Sequence, residues 1–167
     1  MRILAIDPGY ERLGVAVLEK RGGKESVLFS CCLTTNKNQP HSERLAFIGN
    51  ELEKIIKKLK PEYLTVESLF LFSNQKTAIK VAEARGVILC EAARAGLPVF
   101  EYTPLQIKIA VTGYGKSDKR QVAEMVQKLL SLPDKKRLDD EYDALAIGLT
   151  FFATEKSFPQ KALARKD

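Results

Sequence analysis

Ile3-Leu4-Ala5-Ile6-Asp7-Pro8-Gly9-Tyr10-Glu11-Arg12-Leu13-Gly14-Val15-Ala16-Val17-Leu18 is the stretch whose reading decides the fold. An apolar run starting at Met1 ends on an acid, Pro8-Gly9 turns the chain, and a second apolar run begins at Leu13. So short a link predicts an antiparallel hairpin. A dinucleotide-binding domain would place G-x-G-x-x-G here, opening a helix, whereas Gly9 and Gly14 lead into another strand.

Downstream, Arg21-Gly22-Gly23-Lys24 reads as a turn and Ser26 to Leu33 as a third strand. Ser42 to Lys60 carries Leu45, Ile48, Leu52, Ile55, Ile56 and Leu59 at helical spacing, and Pro61 closes it. A strand at Tyr63 to Glu67, a helix from about Gln75 to Ala95 stopped by Gly96, and a strand at Pro98 to Tyr102 follow. Two more helices are predicted, around Ser117 to Leu130 with Ser117 as N-cap, and from about Asp140 to Thr154. The sum is an α/β domain over 1–154 with a five-stranded mixed sheet: an antiparallel three-strand meander, then parallel strands, flanked by helices. That order fits a ribonuclease H-like fold. The basic stretch 155–167 is expected to be a flexible tail.

The chain has 167 residues, 45% hydrophobic and 29% charged, which suits one globular domain. With no signal-like leader before Asp7 and no membrane-length apolar run, a cytoplasmic protein is expected. Cys31, Cys32 and Cys90 form no CxxC pair and leave one thiol over, so buried thiols are expected in place of a zinc site or disulfide. The formal charge of +6 favours a polyanionic partner, although many basic proteins bind no nucleic acid.

Asp7 and Glu67 each put an anion at the C-terminal end of an apolar strand. A solvated strand end explains either alone; the repetition weakens that explanation. Leu138-Asp139-Asp140-Glu141-Tyr142-Asp143 opens an apolar helix, where acids suit the helix dipole. That accounts for Asp139 or Glu141 better than for Asp143, which sits in an otherwise apolar face and lies three residues from Asp140. Carboxylates gathered from two strand ends and a helix repel unless cations lie between them, and hard oxygen donors select Mg²⁺ or Mn²⁺. His41 is the only histidine, which leaves little material for Ser-His-Asp or histidine-metal chemistry. Two-metal phosphodiester hydrolysis leaving 5′-phosphate and 3′-hydroxyl ends is the reaction expected, with Mg²⁺ as the ion, two per site, and no nucleotide cofactor.

Ile6-Asp7-Pro8-Gly9, Val66-Glu67-Ser68-Leu69-Phe70, Ala84-Arg85-Gly86-Val87, Pro98-Val99-Phe100-Glu101-Tyr102 and Asp143-Ala144-Leu145-Ala146-Ile147 together resemble the RuvC family of Holliday junction resolvases, in order and spacing from Met1 to about Thr154. The resemblance implies that Asp7, Glu67, Asp140 and Asp143 are the catalytic metal ligands, with Asp139 competing for the Asp140 role at an i,i+4 spacing from Asp143. It implies a homodimer that nicks opposing strands of like polarity in a four-way DNA junction, and a RuvA–RuvB branch-migration motor as partner. Lys108 and Lys119 match basic positions of the family. Lys76, Lys80, Lys116 and Arg120 are further DNA-contact candidates, and Phe70 is placed to stack on junction bases, with core packing as its plainer role.

Ala78, Ala82, Gly86 and Cys90 form a small-residue stripe that faces either a partner helix or this protomer's own sheet. Gly113-Tyr114-Gly115-Lys116-Ser117 is either a phosphate-binding loop or a simple turn. Arg85 is read as structural and in need of an anionic partner. Other readings are an RNA or RNA–DNA hybrid nuclease of the same fold, a non-catalytic junction-binding module, and an actin-like ATPase half, for which a second Asp-x-Gly hairpin is missing.

Overall fold

The computed structural model describes residues 1–68 and 75–155. Its elements are β1 (Arg2–Asp7), β2 (Arg12–Arg21), β3 (Lys24–Thr34), α1 (His41–Leu59), β4 (Tyr63–Glu67), α2 (Gln75–Arg94), β5 (Val99–Tyr102), α3 (Pro104–Thr112), α4 (Lys119–Leu129) and α5 (Asp139–Thr154). The sheet order is β3-β2-β1-β4-β5. β1–β2 and β2–β3 pair antiparallel, while β1–β4 and β4–β5 pair parallel, as the hairpin and crossover reading predicts. Gly22 and Gly23, at φ 59° and 80°, supply the left-handed pair that a two-residue hairpin turn requires.

Period-two alternation distributes the central strands between two cores. Ile3 and Ala5 of β1, with Ala16 and Leu18 of β2, pack under α3, α4 and α5. Leu4 and Ile6, with Val15 and Val17, pack under α1 and α2. The same alternation sends Asp7, Glu67 and Gly14 to the α5 face, and Asp7 stands directly opposite Gly14 in the β1–β2 register. α5 lies close on that face: a Cβ at Gly148 would stand 2.5 Å from Leu18 Cδ1 and 3.3 Å from Ala5 Cβ.

Three sequence expectations are corrected. Helix α3 was not foreseen, although Thr103-Pro104-Leu105-Gln106 holds a complete capping box with proline in the first turn, and Gly113 closes the helix at φ 74°. The N-cap of α4 is Asp118, whose carboxylate accepts from Gln121 N at 2.8 Å; Ser117 is buried and hydrogen-bonds Thr112 Oγ1 and Tyr114 O. An anion already caps that helix and takes the Gln121 N–H, a donor a bound phosphate would have used. The free thiols Cys31 and Cys32 are half-buried and Cys90 is exposed, because the Cys90 side of α2 faces away from the sheet.

Candidate active site

Asp7, Glu67 and Asp143 line one cleft of about 340 Å³ together with Lys108, Lys119, Pro104, Ile107, Val122 and Ile147. The acids come from β1, β4 and α5, while the lysines come from α3 and the first turn of α4. The cleft is apolar below and charged at its rim, so water is thinned out around carboxylates already close together. Asp7 is pushed up to about 8, by burial first and then by Asp143, Glu67 and Asp140, with Lys119 opposing. Burial likewise raises Glu67, with Asp143 adding to it. Burial raises Asp143 too, against the pull of Lys119. Lys119 Nζ stands 3.3 Å from Asp143 Oδ2, and that anion raises the ammonium's pKa.

Asp140 behaves differently. Its carboxylate is held at 3.2 Å by Arg12 Nε and lies 3.9 Å from the Cys32 thiol, and it does not line the cleft. Neither Arg12 nor Cys32 was marked in the sequence reading. Among the described residues no three acidic side chains stand at the spacing of a closed metal cage. Even so, the donor set suits a hard divalent ion: all oxygen, and mutually repelling strongly enough to raise Asp7.

The first turn of α5 is fixed from two sides. A Cβ on Gly14 would clash with the Asp140 carbonyl oxygen and stand 3.2 Å from Asp7 Cβ, so only glycine lets the helix start this close to β2. Beside it Glu141 is buried, paired with the buried Arg137 at 3.3 Å and accepting from Ser30 Oγ at 2.6 Å. Asp139, the competitor for Asp140, is exposed.

The remaining predicted contacts are dispersed. Lys108 and Lys119 reach the cleft, whereas Lys116 lies exposed in the α3–α4 loop and Arg120 pairs with Glu124 along α4 at 3.6 Å. Lys80 sits over the Tyr10 ring at 5.3 Å. Phe70, the side chain of Lys76, and 156–167 lie outside the described residues. The stripe does not pack on its own sheet: Ala82, Gly86 and Cys90 are exposed and Ala78 is half-buried, while Ala84, Ile88 and Ala92 face the core. Arg85 finds its anion in Glu101 of β5, at 2.6 Å.

A carboxylate cleft with lysines at its rim, set at the ends of the central strands of this mixed sheet, defines a nuclease of ribonuclease H-like fold. A family model described as "Crossover junction endodeoxyribonuclease RuvC" matches residues 3–151. The chain belongs to the RuvC family. It is 48% identical over 147 residues to the RuvC crossover junction endodeoxyribonuclease of Thermosipho melanesiensis, covering 88% of this chain and 94% of that one. Against the Desulfitobacterium hafniense protein of the same name the identity is 46% over 149 residues, covering 89% and 90%. The structure of T. thermophilus RuvC in complex with Holliday junction substrate superposes with a TM-score of 0.84 at 36% identity, over 90% of this chain and 92% of that one. The yeast mitochondrial Holliday junction resolvase Ydc2 shares the fold alone, with a TM-score of 0.65 at 13% identity over 90% and 77%.

Proposed function

We propose that this chain resolves four-way DNA junctions by metal-dependent phosphodiester hydrolysis, as a cytoplasmic homodimer whose two sites nick paired strands of like polarity. The carrying observation is the gathering of Asp7, Glu67 and Asp143 in one cleft, where burial and mutual repulsion raise Asp7 and a bound cation would favour the ionised set. The junction substrate is supported by family membership and by the junction complex of the T. thermophilus relative.

Nucleases of this family depend on a metal in general. Asp7, Glu67 and Asp143, with Asp140 as fourth ligand, would hold the ion, and oxygen donors favour Mg²⁺, two per site, with Mn²⁺ able to substitute. When bound, it supplies activation of water and charge stabilisation at the leaving 3′ oxygen. An ion held there would favour the ionised form of Asp7. Lys119 exchanges Asp143 for a DNA phosphate, and Lys108 meets the same strand at the opposite rim. Lys76, Lys80, Lys116 and Arg120 extend the basic track, and Phe70 follows Glu67 closely enough in sequence to stack on an unpaired base. The stripe Ala78, Ala82, Gly86 and Cys90, exposed at its last three positions, is where a second protomer's helix would lie close. A RuvA–RuvB motor would deliver the junction.

The test is a synthetic four-way junction, its matched duplex and an RNA–DNA hybrid, each with Mg²⁺ or chelator, beside Asp7→Asn. Symmetric metal-dependent nicks confined to the junction, with 5′-phosphate ends, are expected. Cutting of the hybrid alone would make this a nuclease for another substrate; junction binding without cutting would make it a binding module.

A further inference from the structure

Of the four acids, Asp140 alone has a cation of its own outside the cleft. Arg12 begins β2, and its Nε stands 3.2 Å from Asp140 Oδ2, with side-chain exposures of 53% for Arg12 and 17% for Asp140. The Asp140 backbone has no freedom to compensate, because the Gly14 contact pins its carbonyl against β2. Only the side chain can move, by rotation about its own bonds. A carboxylate paired with a guanidinium on one side and needed by an ion on the other has two discrete partners.

Resting on the reading of Asp140 as a metal ligand, we infer that Arg12 is a positioning residue that holds Asp140 out of the cleft until the ion arrives. Metal binding and the Arg12–Asp140 pair are then competing states of one carboxylate. Arg12 sets how tightly the last ligand closes, and its guanidinium is released at the rim once it does. The exchange involves no change of covalent bonds: Asp140 leaves one hydrogen-bonded cation and meets another. Because the pair is half-exposed, its opposition to metal is modest, about two- to five-fold in affinity.

Two measurements on the full chain test this. Mg²⁺ titration followed by the ¹⁵N-Hε resonance of Arg12 should show the ion-paired signal moving to the position of a free guanidinium at saturation. Mn²⁺ binding by electron paramagnetic resonance should be about two- to five-fold tighter for Arg12→Gln, with Arg12→Lys, which keeps a cation, near the parent value. An Arg12 resonance unmoved at saturation, or an Arg12→Gln variant that binds Mn²⁺ no more tightly, would overturn the inference. Asp7→Asn and Asp140→Asn separate this from the underlying reading: if neither weakens Mn²⁺ binding, the four-acid site itself is wrong, whereas weakening by both with an unmoved Arg12 removes Arg12 alone.

Discussion

The two ends of β1 are built on opposite principles. At its start, Arg2 answers every nearby anion: Nε meets Glu19 at 2.8 Å, its backbone N–H meets Glu62 at 2.7 Å, and a guanidinium nitrogen donates to Leu59 O at 3.1 Å. Hydrogen bonding from Arg2 holds Glu19 below the usual carboxylate range. Five residues on, Asp7 faces Glu67 and Asp143 with Lys119 opposing them, and its pKa is driven up to about 8. One strand thus ends in satisfied charge at one side of the sheet and in accumulated like charge at the other. The second arrangement lowers the stability of the free protein, and under the proposed function its use would lie in gathering cations.

The hardest test of that contrast is Asp7→Asn. It should reduce junction cleavage by about 10³-fold or more if the proposed role of Asp7 as a metal ligand holds. It should also stabilise the metal-free protein. Asp7 has a folded pKa near 8 and an ordinary unfolded one near 4, so the folded state binds more protons across that window and its stability falls as pH rises through it. The Tm advantage of Asp7→Asn should be present at pH 8 and vanish towards pH 4 in metal-free thermal scans. An advantage that persists at pH 4 would remove the charge explanation.

Next in size is Glu141→Ala, which strands the buried Arg137 and should cost about 3–5 kcal/mol by denaturant titration. Gly14→Ala forces the start of α5 off β2 and should cost about 1–3 kcal/mol while slowing cleavage, because Asp7 and Asp140 are driven apart. Arg2→Ala should cost about 1 kcal/mol or less and leave cleavage unchanged, its ion pair being partly exposed. A loss of cleavage there would mean that the two ends are coupled through the strand.

Much of the fold was legible because β1, β4 and α1 carry clear apolar patterns, which put Asp7 and Glu67 at strand ends; that they share a face follows from the β1–β4 register. Helix α3 escaped because its nine residues are short for periodicity to register and two of its apolar ones, Leu105 and Ile109, face solvent; the capping box was the available signal. At the site, the acids stood out as charges in apolar settings. Arg12 did not, since an arginine after a turn is ordinary until its partner, 128 positions away, is folded beside it. The stripe on α2 was ambiguous for the same reason: four-residue spacing defines a face of the helix, and only the position of the sheet says whether that face is covered.

Helix α5 is the last of the described elements, yet it supplies Asp140, Asp143 and the largest fully buried side chain, Phe151, and it packs on β1, β2 and β4. A chain that stops before Asp139 therefore lacks the α5 contacts of β1, β2 and β4 and two of the four proposed ligands. The helix that brings Asp140 and Asp143 to the site also completes the core on that face. Stalled or truncated products would then be substrates for proteolysis before they could act as unregulated nucleases.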